Sequence, residues 1–231
     1  MPSQQASNIN DFAFDYLRSH YTARFGAKLV LVDKDEQTRQ GHAAQGLFSL
    51  KKQDNTPFIA SLHTFNSPRI ATALTTYKKS GLSKLRYATA FFVALLALAV
   101  GWRLGYTVAG AILAVVLSGA TFMLHTYLEQ KLRIHRLLHL LDDLKKTPAD
   151  EQWLGLSISS ITLRHNPLAK HFLAACERRG IGIITVGQRA KVVLIKEPKP
   201  AVCRRGDFLS HYQADRRIRK ALLGDSVLRV A

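Results

Sequence analysis

Two long apolar stretches dominate the pattern of hydrophobic and polar positions along the chain. Residues 87–102 contain no Asp, Glu, Lys or Arg, residues 104–128 contain none either, and Arg103 alone separates them. A helix rising 1.5 Å per residue needs about 20 apolar residues to cross a hydrocarbon layer of roughly 30 Å. The second stretch has that length, and the first reaches it once Leu85 and the aliphatic stem of Arg86 are included. Gly101 and Gly105 bracket a turn between them. The pattern predicts a two-helix membrane hairpin over residues 86–128, with water-soluble segments 1–85 and 129–231 on either side. The alternative is a helical hairpin buried in a soluble core, but such helices seldom run so far without a charge.

The flanks give the hairpin a direction. Tyr87 and Tyr127 fall at one end, Trp102 and Tyr106 at the other, where amphipathic rings favour a membrane–water boundary. Lys78, Lys79, Lys84 and Arg86 precede the first helix and Lys131, Arg133 and Arg136 follow the second, against one Arg in the turn. The positive-inside bias then places both termini in the cytoplasm and the hairpin in an inner (plasma) membrane. Gly110, Ala114 and Ser118 make a small-residue stripe on the second helix. It suits close packing against the first helix or against a second copy of the chain.

The soluble segments alternate short apolar runs with helical periods. Before the hairpin, a helix capped at Asn10-Asp11 runs to about Arg24, followed by strands over residues 28–32, 46–51 and 57–63. Residues 33–40 read as a turn or an irregular extension, residues 52–56 as a hairpin turn and residues 69–80 as a helix. After the hairpin, residues 129–146 continue the second helix, and residues 153–163 form a strand. Asn166-Pro167 starts a helix that Gly180 stops, because Asn caps an N-terminus, Pro suits the first helical position and Gly the exit. Strands over residues 181–186 and 191–196, a loop over 198–205 and a basic helix over 207–223 complete the pattern. Neither half can bury its strands alone. A single α/β domain with a mixed sheet, split by the membrane hairpin, satisfies both.

Charge adds a surface. The chain carries a net charge of +17. Residues 1–86 hold 12 basic and 6 acidic side chains, and residues 131–231 hold 20 and 9. The densest cluster is Arg204, Arg205, Arg216, Arg217, Arg219 and Lys220, a candidate surface for nucleic acid or anionic lipid. An acidic partner protein is the third kind of ligand. Cys176 and Cys203 show no zinc spacing and read as thiols on the reducing side of the membrane. His135 and His139 share a helix face but lack a nearby third ligand beyond Asp142 and Asp143. No phosphate-binding glycine loop and no hydrolase nucleophile elbow is present.

Three stretches carry a resemblance. Residues 41–48 (GHAAQGLF), 58–63 (FIASLH) and 168–186 (LAKHFLAACERRGIGIITV) are similar to the restriction-endonuclease-like fold of the PD-(D/E)xK nucleases, nearest the Mrr-like branch. The resemblance implies a core of helix, three-stranded meander, helix, strand, helix, strand. It also implies a site with two carboxylates on Mg²⁺ and a lysine that orients the attacking water. Carried onto this chain, those positions hold Gln45, Ser61 and His63, which supply no negative charge. The implied protein is a nuclease-like domain without metal catalysis and without a cofactor, acting as a membrane-bound binding or scaffold protein. An active, Mg²⁺-dependent, membrane-tethered endonuclease of restriction or defence type is the alternative. It would draw its acids from Asp15 (or Asp11), Asp33 and Asp54, with a shifted register bringing Asp33 near Asp54.

Overall fold

The computed structural model describes residues 3–27, 29–52, 54, 56–187, 191–203 and 207–223, with side chains from Asn10 onward. The chain forms two compact units, one made of Met1–Thr75 with Leu138–Ala231 and the other of Thr76–Leu137.

The first unit is built on a six-stranded mixed sheet: β1 (Val30–Gln37), β2 (Ala43–Lys51), β3 (Pro57–His63), β4 (Glu151–Leu156), β5 (Ile181–Val186) and β6 (Val192–Lys196). The strands lie in sequence order. The first three form an antiparallel meander, β3–β4 and β4–β5 are parallel, and β6 returns antiparallel to β5. Each parallel step needs a crossover. The one from β4 to β5 runs through α5 (Ser160–Leu163) and α6 (Pro167–Arg179).

Both sheet faces are covered. On one face, Phe14, Leu17 and Tyr21 of α1 (Ser3–Phe25) pack with Phe48, Leu62, Trp153 and Ile184. On the other, Leu47 and Ile59 meet Leu209, Tyr212 and Ile218 from the chain end, where a 3₁₀ turn (Phe208–His211) precedes α7 (Asp215–Leu223). Period-two alternation along β2 and β3 sorts these two sets. Between β3 and the hairpin, α2 (Ser67–Ser80) buries Ile70 and Leu74.

The local signals behave as their chemistry requires at α6. Asn166 Oδ1 accepts from the Ala169 N–H at 3.3 Å, Pro167 opens the helix, and Gly180 closes it at φ 71°. Four expectations are corrected. The first helix begins at Ser3, well before Asn10-Asp11. The polar run after Val32 stays in β1 to Gln37, because pairing with β2 satisfies its backbone whatever its side chains. Residues 153–163 are not one strand: β4 ends at Leu156, and the Ser159 hydroxyl accepts from the Ile161 N–H to start α5. The last helix is split, since the Asp207 side chain caps the 3₁₀ turn before α7 begins.

The second unit contains α3 (Leu85–Arg103) and the greater part of α4 (Thr107–Asp142). The two are antiparallel, and both are long and apolar enough to cross a membrane. Only 11% of each apolar window is buried. The helices touch backbone to backbone where Gly101 faces Gly110: a Cβ on Gly101 would stand 2.6 Å from the Gly110 Cα. Ala97 and Ala114 are buried nearby. Gly110 and Ala114 of the small-residue stripe therefore lie against α3, and Ser118 is half-buried.

Candidate functional site

The three positions matched to nuclease ligands sit on β2 and β3. Leu47 pairs with Ser61 and Gly46 with Leu62, which puts Gln45 and His63 at the adjoining ends of the two strands. Ser61 also lies beside Gln152 across the parallel β3–β4 step. The fold thus brings Gln45, Ser61 and His63 together.

What surrounds them is neutral and tightly bonded. His63 is 7% exposed, and its Nε2 lies 2.6 Å from the Thr147 hydroxyl. That hydroxyl donates its one proton to the Leu144 carbonyl at 2.9 Å, so Nε2 carries a hydrogen and donates to Thr147. Burial pushes the imidazole down to about 4, which keeps it uncharged near neutrality. The Gln152 amide donates to the carbonyls of Thr147 at 2.7 Å and Leu144 at 3.2 Å. Gln45 Oε1 accepts from the Thr64 N–H at 3.1 Å, and the Thr64 hydroxyl donates to Asn10 at 2.6 Å. Ser61 is fully buried, and its hydroxyl has no partner among the described residues, like that of Ser49 and the carbonyl oxygen of the Gln152 amide.

These residues do not fit Mg²⁺. A hard cation of that size takes near-octahedral oxygen ligands, commonly with carboxylate charge and several retained waters. Here one neutral amide oxygen is already engaged, one hydroxyl is enclosed, and the His63 Nε2 is spent on Thr147.

The other candidate acids are dispersed. Asp15 is exposed on α1, and Asp54 lies in the β2–β3 turn, where it accepts from the Thr56 N–H and hydroxyl. Asp33 pairs with Leu47 across the ladder, four residues before Lys51 and the turn, so about 13 Å of strand at 3.3 Å per residue keeps it from Asp54. No shifted register joins them. Asp33 instead holds Arg217 at 2.8 Å, and Glu36 holds the same guanidinium. Asp35 lies between them at φ 54°. Among the described residues, no three His, Cys, Asp or Glu side chains converge, His135 and His139 included.

The basic cluster is partly self-neutralised. Arg219 spans Asp215 at 2.6 Å and Asp207 at 2.8 Å, and these bonds raise its affinity for its proton above the ordinary value despite burial. Arg217 is shared by two acids. Arg216 and Lys220 are exposed on α7, while Arg204 and Arg205 lie outside the described residues. Cys176 is buried, and burial pushes its thiol up to about 12, so it is chemically quiet.

One polar centre has no forerunner in the sequence reading. Trp153 Nε1 donates to the Tyr21 hydroxyl at 2.6 Å, and Tyr21 donates to Glu151 at 2.8 Å. Arg24 donates to the other Glu151 oxygen at 2.9 Å. Burial, then the charge of Glu151, lifts the phenol well above its ordinary range. The Glu151 side chain is 0% exposed, and this centre ties α1 to β4. The only sequence signal for it was an acidic residue at the mouth of an apolar strand.

No family model matches the sequence, and neither a curated protein nor a solved structure gives a match.

Proposed function

We propose that the chain is a membrane-anchored binding protein. Residues 86–128 cross the inner membrane as a hairpin, both termini lie in the cytoplasm, and the α/β unit is a nuclease-like body that binds a polyanion without cutting it. The observation that carries this reading is the state of the nuclease positions: Ser61 enclosed, His63 neutral and bonded to Thr147, Gln45 bonded to Thr64. The order helix, antiparallel meander, helix, parallel strand, helix, parallel strand supports the fold assignment. The anchor is supported by two apolar helices whose side chains have almost no protein cover. The polyanion follows from the net charge of +17, which draws nucleic acid, anionic lipid or an acidic protein surface by the same long-range attraction.

The test uses the full chain in neutral detergent with supercoiled plasmid DNA. The expected result is retention of the plasmid at low salt, lost as salt rises, and no nicking with Mg²⁺ or Mn²⁺. Metal-dependent cleavage that disappears in Asp33→Ala would instead establish the endonuclease.

A further inference from the structure

Outside the sheet positions, the described residues include the enclosed Glu151 centre, an apolar groove between α3 and α4 near Gly101, and the basic end of the hairpin. Within Thr76–Leu137 there are eight Lys and Arg side chains and one acid, Glu129. All of the cations except Arg103 belong to the end where the chain enters and leaves the hairpin. Tyr87 meets Phe122 there with ring centroids 5.3 Å apart, and the Ser83 N–H lies 2.9 Å from Glu129.

Glu129 is fully committed. Its carboxylate accepts from the Ser83 N–H and is held by Arg133 at 2.5 Å, while Arg133 also lies over the Tyr77 ring. Among the described residues, Arg86 is left with a charge and no carboxylate. Its guanidinium stacks on Tyr87 at 5.0 Å and Phe122 at 5.1 Å, and one terminal nitrogen donates to the Tyr87 hydroxyl at 3.2 Å. Its Nε is buried without an acceptor among the described residues. A buried charged donor without a partner is costly, and two aromatic faces fix it in place. The first turn of α3 adds the positive end of a helix at the same spot.

We propose that Arg86 is the core of a binding site for the phosphate of an anionic phospholipid, with Lys84 and Lys131 as surrounding cations. A planar guanidinium donates to phosphate oxygens through its N–H groups, and in half-buried Arg86 a phosphate would meet the terminal nitrogens, since Nε is enclosed. A lipid is favoured over a soluble phosphate because the site opens the apolar span: Leu85 is 65% exposed and Tyr87 57%, so the phosphate would arrive with acyl chains alongside α3. The Tyr87 ring, which lies under the same guanidinium, belongs at that depth.

The site presupposes the membrane reading, so the two are measured separately. Native mass spectrometry of the full chain in neutral detergent would count bound phosphatidylglycerol against phosphatidylcholine, with a membrane-pelleting assay run on the same variants. The expected result is a preference for phosphatidylglycerol that weakens about fivefold in Arg86→Gln, the effect of one cation at an anionic surface. Arg86→Lys should restore part of it, and Arg103→Gln should leave it intact, with all four proteins pelleting. An unaltered preference in Arg86→Gln overturns the site while leaving the anchor standing. Displacement of the lipid by equimolar glycerol phosphate also overturns it, since the site would then belong to a soluble phosphate. Wild-type chain in the supernatant overturns the anchor and the site together.

Discussion

At the scale of single residues, the sheet positions are governed by enclosure. His63 is neutral in the folded chain because its charged form would have to leave water. An unfolded histidine takes up its proton near 6.5, so between that value and about 4 the unfolded chain binds more protons than the folded one. Stability is therefore lost as pH falls through this window, by of order 3 kcal/mol over its whole width. Thermal unfolding of the full chain in detergent, followed by Trp153 fluorescence from pH 7 to pH 4.5, should show that loss. His63→Gln stays neutral and can still donate to Thr147, so its melting temperature should depend less on pH than wild type. A second residue-scale expectation concerns Tyr21→Phe. It strips the Trp153 N–H of its acceptor and Glu151 of one donor, which should cost about 1–3 kcal/mol in denaturant unfolding. Residue types at positions 45, 61 and 63 were legible in the sequence, and so was their lack of charge. Their partners were not, since Thr147 and Gln152 lie across the inserted hairpin, and nothing local announces a hydrogen bond between residues 84 positions apart.

At the scale of elements, the sequence reading succeeds where a segment carries its own boundary chemistry. The Asn166-Pro167 start and the Gly180 stop of α6 are local, and the structure keeps both. Reading fails where pairing overrides propensity, as in the acidic run of β1, and where a capping hydroxyl competes with strand continuation, as at Ser159. The same scale yields a contrast between two glycines of the hairpin. Gly101→Val should splay α3 from α4, because its side chain would meet Gly110 backbone that has no freedom to move aside, a cost of about 1–3 kcal/mol. Gly119 has open space where its Cβ would be, so Gly119→Val should be tolerated. Melting temperatures in detergent would separate the two. Asn166→Ala should cost about 1 kcal/mol or more, since it removes the cap on Ala169 and also the donor to the Leu74 carbonyl at 3.0 Å.

At the scale of the whole molecule, two properties act together: an excess of positive charge and a pair of apolar helices without cover. Charge of this size gives attraction to polyanions but says little about fold. The helices are candidate membrane spans. Each is long and apolar enough to cross a bilayer, and the residues bracketing the apolar runs are those that favour its boundaries: Tyr87 and Tyr127 at the basic end, Trp102 and Tyr106 beyond. The order of elements was readable because each incomplete half demanded the other to bury its strands. The interior at β2 and β3 is neutral, with Ser61 enclosed and His63 and Gln45 bonded to Thr147 and Thr64.

The most direct measurement is fractionation of cells that express the full chain, with the membrane pellet washed in high salt and then in alkaline carbonate. The account predicts that the chain stays in the pellet through both washes and is released only by detergent. Recovery of the chain in the supernatant, before detergent is added, would contradict it.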